Sequence, residues 1–521
     1  MTVDYILRGG TVIDGTGGER YTADVAIKGD TVAMIGDLAG VKATHELDVG
    51  GLIVSPGFID AHAHSDLSFL QDDTYASKLY QGITTEVTGQ CGDSPFPVRS
   101  GEEAEGMWNC LSFEDLVNRF KQGGHQMAVH QAIMLGHGSL RAYVVGYEDR
   151  AATPEEMERM KSLLEENLQS GVFGMSMGLE YAPGFFADRD ELSELGKIVK
   201  KHQGVVTCHM RDEGMHIDDA LEELINVSLA SGVHVHVSHV KLDHFKMHGQ
   251  AEKVWRRICA AREKGVDVTA DMYPFTASCT SLSIRCPKWS LDGGSEALLS
   301  HLRGARRQEV VEGIRSHYFN AEQAETCLFC DDCGLWPEIV GKTLRYVAEE
   351  MLHTRDYAEA AAEVLLRTNA GANSIFFVMS EEDMKYFLRQ DVMIGSDGWA
   401  FSGDPEKVKS KPHPRSYGSA AEFLRICREE KICTLEKAVH RMTGMTADML
   451  GIQNRGRLKA GMKADIAVFD EEEIRPRSTY LNPVQLAQGV HYVFVDGMPA
   501  LYQGVQTEVR NGKFLRKTDN A

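Results

Sequence analysis

The sequence predicts an α/β protein: a (β/α)8 TIM-like barrel carrying a small β-sandwich domain formed by both chain ends. Three observations point there. Apolar strand candidates alternate with helical stretches through the middle of the chain, both ends are rich in short strands, and five of the middle strands end on residues able to hold a metal ion.

The ends come first. DYILRGGTVID, ADVAIKGDTVAMIGD and ATHELDVGG alternate apolar residues and are punctuated by Gly-Gly and Gly-Asp, the pattern of hairpins. GRLKAGMKADIAVFD and GVHYVFVDGMPALYQGVQTEVRNGKFL repeat that character near the other end. Residues 1–54 and 456–521 are therefore expected to build one small β domain around a barrel over 55–455.

Within the middle, the strand candidates are LIVSPGFIDAHAH, GITTEVTG, MAVHQAIML, GVFGMSMG, GVVTCHM, VHVHVSHV, VDVTADMYP and VMIGSDG. Stretches of 3.6-residue periodicity, such as EEMERMKSLLEENLQ and HIDDALEELINVSLA, lie between several of them. SIFFVMS at 374–380 is a ninth candidate. The run from about 281 to about 373 is too long for a plain connection and predicts a folded insertion or lid beside the site, between the last two barrel strands.

Composition narrows the function. The 521 residues carry 55 Lys+Arg against 76 Asp+Glu, a net charge of −21, which argues against a nucleic-acid backbone binder. MTVDYILRGGTVIDG lacks the basic and apolar regions of a signal peptide, and no stretch approaches the ~18 uninterrupted apolar residues of a membrane span. The 11 cysteines follow no framework spacing and read as reduced thiols of a cytoplasmic protein.

The chemistry is expected at strand ends. In Asp60-Ala61-His62-Ala63-His64, residues two apart point to one side, so both imidazoles can reach one ion. Cys91, in GQCG, lies between glycines, where close approach to an ion is easy. A lone buried cysteine is commonly an inert small hydrophobe, but a thiolate binds zinc well. His209 and His239 end two further strands, and period-2 logic turns His234 and His236 to the face opposite His239, as packing or solvent residues. Asp397, in IGSDG, closes the last strand, where a carboxylate can shuttle a proton.

Taken together and in order, these residues resemble the amidohydrolase superfamily. Within it the sequence is similar to the N-acyl-D-amino-acid deacylase (D-aminoacylase) family, through PGFIDAHAHSD, GQCG, GHGSLR, GLEYAPG, CHMRDE, SHVK, DMYPFTAS, IGSDG, PHPRSYG and GRLKAGMKADIAVFD. The resemblance spans nearly the whole chain. It implies a tight zinc on Cys91, His209 and His239, and a weaker second position on His62 and His64 with Asp397 nearby. Glu180 is a further carboxylate that can either touch a metal or order its turn. Asp397 would take the proton of the attacking water and return it to the leaving nitrogen.

The resemblance also implies that Lys241 and Tyr273 bind the substrate α-carboxylate and that Arg415 either reaches a carboxylate or lines the pocket. One departure stands out: where the family often has a serine six residues after the tyrosine, this chain has Cys279, beside Ser278. Arg211 is expected to pair with an acid, His137 to approach the pocket, and Cys327, Cys330 and Cys333 to be thiols of the insertion rather than a structural zinc site. The partner implied is a small-molecule N-acyl-D-amino acid, with neither nucleic acid nor membrane, the protein being a monomer or small homo-oligomer. Two rivals remain open: a cyclic-amide hydrolase, which would need a carboxylated lysine, and a non-catalytic binding protein derived from the barrel.

Overall fold

The computed structural model describes residues 2–98, 108 and 110–520. Eight parallel strands follow one another through the middle of the chain: β1 (Phe58–Asp60), β2 (Ile83–Thr88), β3 (His130–Ile133), β4 (Gly174–Gly178), β5 (Val205–His209), β6 (His234–Val237), β7 (Val268–Met272) and β8 (Met393–Ile394). Each is short and, apart from His234 and Thr269, buried, polar residues such as Thr85, Glu86, His130 and Gln131 included.

The strands pair in parallel register in two sets, β1 to β3 and β4 to β8, as in Thr85↔His130, Gly178↔His209 and Asp271↔Met393. Leu135–Gly136 continues β3 and makes the pairing to β4. Ala61 N–H donates to Ile394 O at 3.1 Å, and a parallel bridge joins Ala63 to Gly398, so backbone contacts also run from β8 back to β1.

The crossovers are helices with clear ends. Pro154–Ser170 starts in a capping box, the Thr153 side chain accepting from Glu156 N and the Glu156 side chain from Thr153 N, and stops at Gly171 with φ 110°. Arg189–Lys201 starts on the Asp188 cap, and Ile217–Ser231 ends at Gly232 with φ 71°.

Between β7 and β8 lie three further strands and a group of helices. Ser278–Ser281, Asn373–Phe376 and Cys327–Asp331 form an antiparallel sheet over helices packed around Leu298, Val310, Phe329 and Val364. The ninth strand candidate falls here. Asn373–Phe376 is the centre of that sheet; both its edges are taken by antiparallel partners, so it does not join the parallel set.

Strands from both ends of the chain share a nine-stranded hydrogen-bonded sheet. Ile53–Pro56 is the join: it pairs parallel with Thr11–Val12 on one edge and antiparallel with Ile466–Phe469 on the other. Arg455 fastens this sheet to the middle of the chain by pairing with Asp465 and Asp496 beside His130, all of them buried. Among the described residues, no helix is long and apolar enough to cross a membrane.

Candidate metal centre and substrate cavity

The ends of β1, β2, β5, β6 and β8 deliver their side chains to one place. Three of the residues involved leave the strand in the left-handed region: Cys91 at φ 54°, His239 at φ 35° and Asp397 at φ 51°. Such conformations cost on the order of 1–3 kcal/mol each for a residue with a Cβ and are held only where the surroundings over-determine them. Here Asp397 N–H donates to His62 O at 2.8 Å and His239 N–H to Asp271 Oδ1 at 2.9 Å. The glycines beside Cys91 serve the backbone: a Cβ on Gly178 would lie 1.8 Å from Cys91 O, and one on Gly92 2.5 Å from Gly178 N.

Cys91 is the hub. Its Sγ lies 3.3 Å from His62 Nε2, 3.4 Å from His239 Nε2 and 3.7 Å from His209 Nδ1. Tetrahedral zinc, with Zn–S near 2.3 Å and Zn–N near 2.0–2.1 Å, would set sulfur and nitrogen about 3.6 Å apart. The donors thus stand at the edges of a polyhedron that fits such an ion, and one thiol with imidazoles and a carboxylate suits its borderline-soft character. Asp397 joins the cluster through Oδ1, 3.5 Å from His62 Nε2 and 3.0 Å from His64 Nε2. All six residues singled out in the sequence meet here. Cys91 faces His62, His209 and His239, and Asp397 faces His62 and His64; His62, Cys91, His239 and Asp397 stand closest together, and His209 also groups with Glu213 and His239.

A second layer of carboxylates orients the rings. Asp271 accepts from His236 at 2.7 Å and stands 3.5 Å from His62 Nδ1. Glu213 faces His239 Nδ1 at 3.0 Å and His209 Nε2 at 3.4 Å, and Glu180 faces His209 Nε2 at 2.8 Å. Burial, opposed by Glu213 and aided by Lys241, pushes His209 down to about 4, leaving the neutral imidazole that metal binding requires. Burial pushes Asp397 up, but Arg415, His239 and His64 outweigh it and hold the carboxyl well below the usual range.

Asp271 and Glu213 are the residues that strand-end reasoning passed over. Their signals were present: a lone acid inside the apolar run VTADM, and an acid four residues after His209. Of the two roles expected for His236, packing or solvent, the structure shows the first: it is completely buried, its ring held between Thr269 and Asp271 of β7.

The cluster opens into a cavity of about 400 Å³ lined by Cys91, Glu180, His209, Lys241, Asp397 and Arg415 among others. Lys241 is buried, ion-paired with Glu213, and 3.0 Å from His239 Nδ1. Arg415 pairs with Asp397 Oδ2 at 2.7 Å and donates to Cys279 O at 3.1 Å. Tyr273 does not line the cavity: its ring lies under the Arg415 guanidinium, 4.9 Å away, and its hydroxyl faces Met379 Sδ at 3.8 Å.

Other side chains resolve plainly. Cys279 Sγ turns to Cys330 Sγ at 3.5 Å, and Ser278 Oγ donates to Asp243 at 3.3 Å. Cys333 donates to Gly371 O, and Cys327 is buried, so the three cysteines of the insertion do not converge. Arg211 forks onto Glu223 at 2.9 Å. His137 is corrected: it is buried against Glu191 at 2.8 Å, because it opens a helix whose Arg141 shares that acid.

Three comparisons complete the picture. The Amidohydrolase family matches residues 45–282 and 392–500, the gap between them falling in the insertion and the helix before β8. A D-aminoacylase of Alcaligenes xylosoxydans xylosoxydans is 33% identical over 525 residues, covering 99% of this chain and 98% of the relative. An N-acyl-D-glutamate deacylase from Bordetella bronchiseptica, solved with zinc and a phosphonate mimic of the tetrahedral intermediate, superposes with a TM-score of 0.84 at 29% identity, covering 99% of this chain and 100% of that one. A D-aminoacylase solved in a study of its binuclear metal centre gives 0.83 at 32%, covering 99% and 100%. With these strand-end donors in place and likeness along its whole length, the chain belongs to the amidohydrolase family, in its D-aminoacylase branch.

Proposed function

We propose that this protein is a metal-dependent hydrolase of N-acyl-D-amino acids that releases a carboxylate and a free D-amino acid. The observation that carries the reading is the cluster around Cys91, whose 3.3–3.7 Å sulfur–nitrogen separations suit a zinc ion, beside a cavity holding Lys241 and Arg415. The parallel strands are read as a closed (β/α)8 barrel, which the β8-to-β1 hydrogen bonds support, with residues 1–54 and 456–521 as its β domain.

Cys91, His62, His209, His239 and Asp397 would hold the metal, with His64 at the edge. The ion, when bound, supplies Lewis acidity that lowers the pKa of a water and polarises the substrate carbonyl. Asp397 moves the proton. Arg415 fixes its Oδ2, which leaves Oδ1, facing the cluster, to accept a proton from the attacking water. The same oxygen returns it to the amide nitrogen as the C–N bond breaks, so that an amine departs and not an amide anion.

Glu180, Glu213 and Asp271 aim the imidazoles, and burial keeps the His209 ring neutral. The α-carboxylate pairs with Lys241 and Arg415, while Tyr273 contributes by supporting the Arg415 guanidinium with its ring. Incubation with N-acetyl-D-amino acids tests the reading: release of free D-amino acid, abolished by a chelator and restored by zinc, is expected. No release from a metal-replete preparation would overturn it.

A further inference from the structure

The first cavity is not closed. His64, Ser139, Tyr147 and Trp399 form a shared rim, and beyond it lies a second cavity of about 560 Å³. That is enough to take most of a small molecule. Its walls include Leu67, Ala142, Tyr143, Phe401 and Pro412, with Trp399 at the neck. Trp399 and Tyr147 keep 36% of their surface exposed, although both stand beside the reactive cluster.

The two chambers differ in their cations. Lys241 and Arg415 line the first, each beside an acid of its own, Glu213 and Asp397. Among the described residues lining the second there is no lysine or arginine. The α-carboxylate of the proposed substrate is therefore assigned to the first chamber. With the amide carbon at the cluster and the amino-acid half on the Lys241 side, the acyl chain leaves the carbonyl carbon in the other direction, past His64 and Trp399.

We infer that the second cavity is an acyl subsite, and that the preferred substrates carry a bulky apolar acyl group, such as an arylacetyl group, in place of acetyl. The inference rests on the deacylase reading above and deepens it. An acetyl methyl ends at the rim and leaves the chamber to water. A longer acyl group covers Trp399 and the apolar walls, and each methylene so buried is worth about a factor of four in binding.

The test is kcat/KM for one D-amino acid bearing acetyl, butanoyl, hexanoyl and phenylacetyl groups. Wild-type protein is expected to favour phenylacetyl over acetyl by on the order of 100-fold. Ser410→Trp, at a partly exposed wall of the second cavity, and Ala142→Leu, at another wall, should each cut that ratio by roughly tenfold or more. The acetyl substrate in the same preparation controls for folding and metal content. Acetyl as the best substrate, or a ratio indifferent to both variants, would overturn the inference and leave deacylation standing. A gain from lengthening the amino-acid side chain, lost in Ser410→Trp, would give the cavity to the other half of the substrate and also overturn it. Hydrolysis of no member of the series would overturn both readings.

Discussion

Asp271 Oδ1 accepts the backbone N–H of His239 at 2.9 Å, tying the end of β6 to the end of β7 directly beneath the candidate metal centre. The other oxygen of the same carboxylate receives His236 and faces His62. One acid thus fixes a left-handed turn and one imidazole of the donor set.

Asp271→Asn should keep the fold but lower metal affinity by about 10–100-fold, the usual cost of losing a carboxylate that orients a ligand. Competition with a graded chelator measures it, and excess zinc should restore most of the activity. Unchanged affinity would reduce Asp271 to a packing group.

Asp397→Asn should cut turnover by at least ~100-fold, typical for a lost proton-transfer group. Its oxygens already hold Arg415 and His64, so an amide of the same shape preserves much of the packing. Near-normal turnover would mean that another residue moves the proton.

Lys241 is less free than a substrate-binding cation usually is, because Glu213 neutralises it in a buried setting. Lys241→Met takes the lysine charge from that acid, leaving it the imidazoles of His239 and His209, and should destabilise the protein by about 3 kcal/mol. The Lys241→Met, Glu213→Gln double variant should recover much of that loss while still discriminating poorly between an α-carboxylate and an α-amide. Denaturant midpoints and paired kcat/KM values separate the two effects.

Away from the site, burial alone would raise Asp465, but Arg455 and His130 outweigh it and hold the carboxyl below its ordinary value. A depressed folded pKa gives stability that is complete above the unfolded value of about 3.9 and is lost as pH falls below it. The thermal midpoint of the wild type should therefore drop more steeply below pH 4 than that of Asp465→Asn. Parallel curves would contradict the assignment.

The sequence carried the strand rhythm because each core strand is a buried run bounded by a polar ligand or glycine, and it carried His62, His64, Cys91, His209, His239 and Asp397 because they terminate such runs. What it hid depends on neighbours. Nothing local distinguishes Asn373–Phe376 from a parallel strand until its two antiparallel partners are seen. That His236 packs rather than meets solvent depends on Thr269 and Asp271 of the next strand. Tyr273 looked like a carboxylate ligand, and its place under Arg415 follows from the helix that begins at Arg415, far along the chain.

The central claim is handed, metal-dependent deacylation. In the proposed site three fixed points would enforce it: the carbonyl at the cluster, the α-carboxylate at Lys241 and Arg415, and the side chain in what remains of the first cavity. A mirror-image substrate must leave one polar group unpaired in a desolvated pocket, a penalty of several kcal/mol and a rate loss of about a thousandfold. The most direct measurement is kcat/KM of the zinc-replete protein for matched N-acyl-D- and N-acyl-L-amino acids. The account predicts release from the D-series at roughly a thousandfold advantage; equal rates on the two series, or preference for an uncharged cyclic amide, would contradict it.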